Sequence, residues 1–161
     1  MKTKNLVQKV LTIVFSALLI IPTFVSWISG TMSVGSMSET SGIFFSDFTE
    51  AAFEFTESGK ALQASEIIFW IAFALAMLLI VLVVAQMLMP KVKVLGLLIK
   101  LVGIALLVAA VAAFVCALIW CIANGESSDY GSISYYPLWG SAITLLGGLL
   151  GGIFALTSTR K

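Results

Sequence analysis

The sequence predicts an all-α integral membrane protein, a four-helix transmembrane bundle carrying a short amphipathic extracellular helix in its first outer loop. Three observations predict it. Of the 161 residues, 60% are apolar and 11% charged, with a mean hydropathy of +1.11, whereas soluble domains run near 45–50% apolar and about 25% charged. Four runs, 10–28, 67–89, 101–122 and 138–157, contain no charged residue. Each reaches the roughly 20 residues that a helix needs to cross hydrocarbon at about 1.5 Å per residue. Charge is also segregated. With four spans, Lys2, Lys4, Lys9, Lys91, Lys93, Lys100, Arg160 and Lys161 fall on one side. The acids Glu39, Asp47, Glu50, Glu54, Glu57, Glu66, Glu126 and Asp129 fall on the other, with Lys60 the one basic residue among them. Lys and Arg stay cytoplasmic, so a plasma-membrane protein with both termini inside is expected. One transmembrane domain, 1–161, accounts for the chain.

The first span is expected at about 8–28. Its basic start and apolar run also fit a secretory signal. That run is longer than the usual 7–15-residue apolar core and no A-x-A site follows it, so a retained helix is expected. Pro22 should kink it by removing an intrahelical hydrogen bond, and Gly30 should close it.

The outer loop 29–66 contains FFSDFTEAAFEFTE, residues 44–57. On a helix Phe44, Phe45, Phe48, Ala52 and Phe55 share one face, and Asp47, Glu50, Glu54 and Glu57 share the opposite one. Ser46 or Asp47 supplies a cap and Gly59 a stop, so a helix over 47–58 is expected. The alternation Phe-Glu-Phe-Thr leaves a pair of short strands as the other reading. The acidic stripe reads either as a solvated face or as a docking face for a cation or a basic partner. Like charges at these spacings cost a few tenths of a kcal/mol per pair, too little to demand a ligand.

The second span, 67–89, stops at Pro90. An inner turn, 90–94, leads into the third, 97–122, so these two form an antiparallel hairpin. Lys100 lies one turn inside the third span, and its stem can snorkel to the inner interface. A second outer loop, 123–137, ends on Pro137, and the fourth span covers 138–157. Trp27, Trp70, Trp120 and Trp139 each fall at the outer end of a different span, where an interfacial belt of aromatic rings is expected.

Small residues form rows within the spans. Ala105, Ala109, Ala113 and Ala117 recur every four residues in the third. Gly140, Thr144, Gly148 and Gly152 do so in the fourth, beside Gly147, Gly151 and Ala155. Such rows let helix backbones approach closely. They are expected to pack the third helix on the fourth, or to meet another subunit. Thr12, Ser16, Thr23, Gln86, Ser141 and Thr144 are polar groups for interhelical bonds, and Gln86 reads as a packing clasp.

No Asp, Glu, Arg or His lies between the interfaces, which argues against a proton relay, an ion-coupled transporter or a voltage sensor. The chain has no histidine, so Ser-His and Cys-His catalysis and histidine-ligated metals are excluded. Cys116 and Cys121 point about 140° apart on one helix and make neither a disulfide with each other nor a metal site. No phosphate loop and no glycosylation sequon occurs. No enzyme, cofactor, metal or nucleic-acid partner is expected. The partners expected are the lipid bilayer and either another protein or further copies of the chain.

Four spans, inner termini and a larger first outer loop resemble, in topology, the claudin-type tetraspan proteins. Residues 29–65 hold no Trp and no Cys, where a claudin first loop carries both. The expected function is a non-catalytic membrane subunit or scaffold, binding a partner through the small-residue rows and the acidic loop. The alternative is an oligomeric channel or transport component whose outer acids attract cations.

Overall fold

The computed structural model describes residues 2–43 and 59–158. Along the chain run α1 (Lys2–Ala17), a 3-10 segment (Leu18–Thr23), β1 (Ile28–Val34), β2 (Met37–Ile43), α2 (Gly59–Leu88), α3 (Lys93–Ala123), β3 (Glu126–Ser128), β4 (Gly131–Pro137) and α4 (Trp139–Ser158). Four helical segments, Thr3–Thr23, Gln63–Leu88, Lys93–Ala123 and Trp139–Ser158, are long and apolar enough to cross a membrane. They make a bundle with a basic end, where Lys4, Lys9, Lys91 and Lys93 lie, and an opposite end capped by an antiparallel sheet.

The first span ends earlier than the apolar run suggests. Pro22 has no N–H to return to the Leu18 carbonyl, and the helix tightens from α to 3-10 at Leu18, four residues ahead of it. The chain leaves the helix after Thr23, so Ile28 and Gly30 belong to β1 rather than to a helix end. α2 extends the other way, beginning at Gly59, well before the charge-free run.

α2 and α3 pair through the alanine row. Ala109, Ala113 and Ala117 are buried in the two core clusters against Phe69, Ala72 and Ala76 of α2. Ser65 of α2 donates from Oγ to the Ala113 carbonyl at 2.8 Å. Ala105, at the start of the row, is exposed. The row therefore faces α2, and a different face of α3 meets α4.

α4 lies between α1 and α3, and its two glycine rows divide the work. A Cβ on Gly148 would collide with Ala110 Cβ, and one on Gly152 would stand 2.7 Å from the Gly103 carbonyl oxygen. Both look at α3. A Cβ on Gly147 would stand 2.9 Å from the Phe15 carbonyl oxygen, and one on Gly151 3.0 Å from Ser16 Oγ. Both look at α1. Close backbone approach is how membrane helices gain dispersion contacts when lipid offers no hydrophobic drive between them. Both glycine rows make these approaches within the chain. Phe15 and Phe154 stack beside them, ring centroids 5.5 Å apart.

The bundle interior is solid. Leu19, Leu79, Val83, Ile99 and Leu106 are fully buried. Thr12 and Thr144 bond back to carbonyls four residues earlier, at 2.8 and 2.9 Å, which satisfies their hydroxyls inside their own helices. Cys116 and Cys121 are free thiols.

The all-α expectation is corrected by the sheet. Its order is β2-β1-β4-β3, with every neighbouring pair antiparallel. Both outer loops, 29–66 and 123–137, contribute strands. The strands are short and rich in serine, threonine and glycine, so hydropathy alone marks them only as loops. The expected helix over 47–58 lies outside the described residues.

Candidate functional site

The sheet end holds the surface on which a membrane protein of this shape can act, and its construction begins at the tryptophans. Trp70 and Trp139 are exposed, whereas Trp27 and Trp120, expected among the interfacial rings, are buried, with exposures of 0% and 2%. These two rings form the seam between bundle and sheet. Trp27 donates its indole N–H to the Pro22 carbonyl at 3.0 Å and meets Phe69 edge-on at 5.1 Å. Its own carbonyl accepts from the Leu138 N–H at 2.9 Å and from Ser141 Oγ at 3.2 Å. Gly140 sits so close that a Cβ there would stand 2.7 Å from Trp27 Cδ1. The exit of the first helix is thus strapped to the entrance of the fourth, and β1 and β4 leave this junction side by side.

Tyr135 of β4 completes the seam. It packs on Trp120 at 4.7 Å and lies across Gly30, its partner on β1, where a Cβ would come within 3.0 Å of the ring. A glycine under an aromatic ring on the neighbouring strand is a known device for fixing register.

Above the seam both faces of the sheet reach solvent, and they differ in chemistry. On one face the register aligns Ser38, Ser33, Ser132 and Ser127 across all four strands, with Thr40, Thr31 and Ser134 in the next rank. Thr31 and Thr40 share a hydroxyl–hydroxyl bond of 3.2 Å. On the other face one rank reads Glu39, Met32, Ile133, Glu126: two carboxylates on the outer strands with an apolar pair between them. Val34 and Met37 extend the apolar strip to the hairpin tip. Met32, Val34, Met37 and Tyr130 are 53%, 58%, 80% and 87% exposed. A groove of about 450 Å³ runs past Met32, Val34, Glu126, Tyr130 and Ile133.

The β1–β2 turn is Gly35–Ser36, with Gly35 at φ +61° and no other described non-glycine residue at positive φ. Positive φ at the first central residue alone is the demand of a type II′ hairpin turn, whose twist suits the flanking strands. Val-Gly-Ser-Met between alternating segments was the sequence signal for this hairpin.

No family model and no curated protein matches this chain.

The expected site residues distribute unevenly. Asp47, Glu50, Glu54 and Glu57 lie outside the described residues. Ala109, Ala113 and Ala117 face α2. Gly148 and Gly152 face α3, and Gly147 and Gly151 face α1, while Ala105 is exposed. The residues that sequence reasoning missed are Met32, Val34, Met37 and Tyr130.

Proposed function

We propose that the chain is a non-catalytic membrane subunit or scaffold whose outer sheet binds a protein partner. The supporting observation is the apolar strip Met32, Val34 and Met37 with Tyr130, exposed at the end of the bundle opposite the lysines and bordered by Glu39 and Glu126. An apolar centre with a charged rim is the anatomy of a protein–protein contact, and an apolar patch maintained in water calls for an occupant. In the proposed orientation the lysine-rich end is cytoplasmic, the sheet lies outside the plasma membrane, and both termini are inside. The glycine rows are engaged within the chain and are no part of this proposed contact.

The test is mass in mild detergent, extracted from the native membrane. A complex of this chain with an unrelated protein at fixed stoichiometry is expected, and Met32→Asp/Val34→Asp should dissolve it while leaving the folded chain in the membrane. A closed ring of identical copies that conducts cations in a reconstituted bilayer would refute the proposal in favour of the channel alternative.

A further inference from the structure

The basic end contains a hollow of about 470 Å³ to which all four helices contribute. Lys9 of α1 and Lys93 and Lys100 of α3 line it, together with Gln86 of α2, and among the described residues no carboxylate does. Lys9 and Lys100 are half-buried. Three like charges converge on a concavity whose walls are otherwise uncharged, so the hollow is a region of positive potential.

Two further observations indicate what it takes. First, α3 begins here. Its cap residue, Val92, offers no side-chain hydrogen bond, and its first turn contains no acid. Val92, Lys93 and Gly96 line the hollow, so the positive end of a 31-residue helix abuts it, and such an end favours an anion. Second, Gln86 Oε1 is buried with no hydrogen-bond partner. Lysine ammonium groups in the same hollow carry three donors each, enough to serve this oxygen and an anionic phosphate together.

Lys100 also lines a second hollow, about 400 Å³, with Ile153, Leu156 and Thr157. It lies seven residues beyond Lys93, about 10 Å further along the helix axis. Lys100 therefore borders both the polar hollow at the helix ends and an apolar notch between α3 and α4. A soluble phosphate has no use for that notch, whereas an acyl chain does.

We infer that the hollow bounded by Lys9, Lys93, Lys100 and Gln86 binds an anionic phospholipid, its acyl chain lying along Ile153 and Leu156. The lysines hold the phosphate, and Lys100 marks the boundary between headgroup and chain. Basic hollows between transmembrane helices recognise lipid headgroups in this way. The inference does not depend on the partner-binding role of the sheet.

Native mass spectrometry of the full chain in detergent tests it, with phosphatidylglycerol, phosphatidylcholine, inorganic phosphate and glycerol 3-phosphate as probes. Phosphatidylglycerol is expected to bind at least tenfold more tightly than phosphatidylcholine. Lys9→Gln/Lys100→Gln should weaken it by about twenty-five-fold, roughly fivefold for each lysine near an anionic headgroup. Lys60→Gln, the loss of one charge at the sheet end, should leave it within twofold, and Lys9→Arg/Lys100→Arg should retain binding. Equal binding of phosphatidylglycerol and phosphatidylcholine would overturn the inference, as would equal losses in the Lys60 and Lys9/Lys100 variants. Lysine-dependent binding of inorganic phosphate or glycerol 3-phosphate as tight as that of the lipid would assign the hollow to a soluble phosphate instead. All variants are compared only where their melting temperature in lipid-free detergent matches that of the wild type.

Discussion

Gly148→Ala isolates the contact between α3 and α4. A Cβ at this position collides with Ala110 Cβ, an atom fixed to the α3 backbone, so no rotamer change relieves the overlap and the helices must separate. Overpacking of this kind costs about 1–3 kcal/mol, and a clash between two backbone-fixed atoms belongs at the upper end. Replacing glycine with alanine inside a helix recovers about 1 kcal/mol of propensity, so the net loss should be about 2 kcal/mol. Ala110→Gly alone should cost about 1 kcal/mol. Combined, the two changes exchange the methyl group from one helix to the other, remove the overlap and cancel in propensity, so the double variant should return close to wild type. The expected coupling is about 3 kcal/mol, far above the roughly 0.5 kcal/mol scatter of independent sites. Reversible unfolding in mixed micelles, followed by tryptophan fluorescence, measures all four corners of the cycle. Leu146→Ala, on an exposed face of α4, is the control and should change little. If the two losses simply add, the close approach of α3 and α4 at Gly148 is not what holds them together.

Two other perturbations separate sheet from bundle. Gly35→Val forces a branched side chain to φ +61°, at roughly 1–2 kcal/mol. Amide exchange should accelerate across β1 and β2 while the bundle melts at its original temperature, and uniform acceleration throughout the helices would contradict that local assignment. Ser65→Ala removes the 2.8 Å bond to the Ala113 carbonyl. That carbonyl keeps its own helical donor, so the loss should stay near 0.6 kcal/mol and below about 1.7 kcal/mol, the range measured for interhelical bonds in membranes. A loss above 2 kcal/mol in the same unfolding assay would show that Ser65 does more than bridge two helices.

The spans were legible because hydrocarbon imposes a length and excludes charge, and 67–89, 101–122 and 138–157 obey both demands. The end of the first was misplaced by composition. Residues 24–28 are as apolar as those before them, but Pro22 had already withdrawn the hydrogen bond that an α-helix needed, and Trp27 and Ile28 are apolar because they pack beneath a sheet. The glycine rows could be read as close-packing surfaces, whereas their neighbours could not. A spacing of four residues states that a face is small, not which helix meets it, and Gly147 and Gly148 turn to opposite neighbours. The strands escaped notice for a different reason. Ser and Gly recur through β1 and β2 and neither strand has an aromatic residue, so the enrichment that marks a strand is diluted. Their alternation, Met32, Val34 and Met37 against Ser33 and Ser38, was visible in principle. The convergence of Lys9 and Lys100 was not, because it joins the first helix to the third and depends on how the bundle closes.

Pairing β1 with β4 ties together segments about a hundred residues apart, and a closure that long is slow to reward a growing polypeptide. During synthesis the β1–β2 hairpin emerges first and then waits through two further crossings with one margin of β1 unzipped. Only when the last helix is inserted does Leu138 reach the Trp27 carbonyl and bring the missing neighbour alongside. Closure of the sheet therefore comes late: β1 gains its second neighbour only when the strand preceding the last helix has been made, so the two central strands are joined by the final third of the chain.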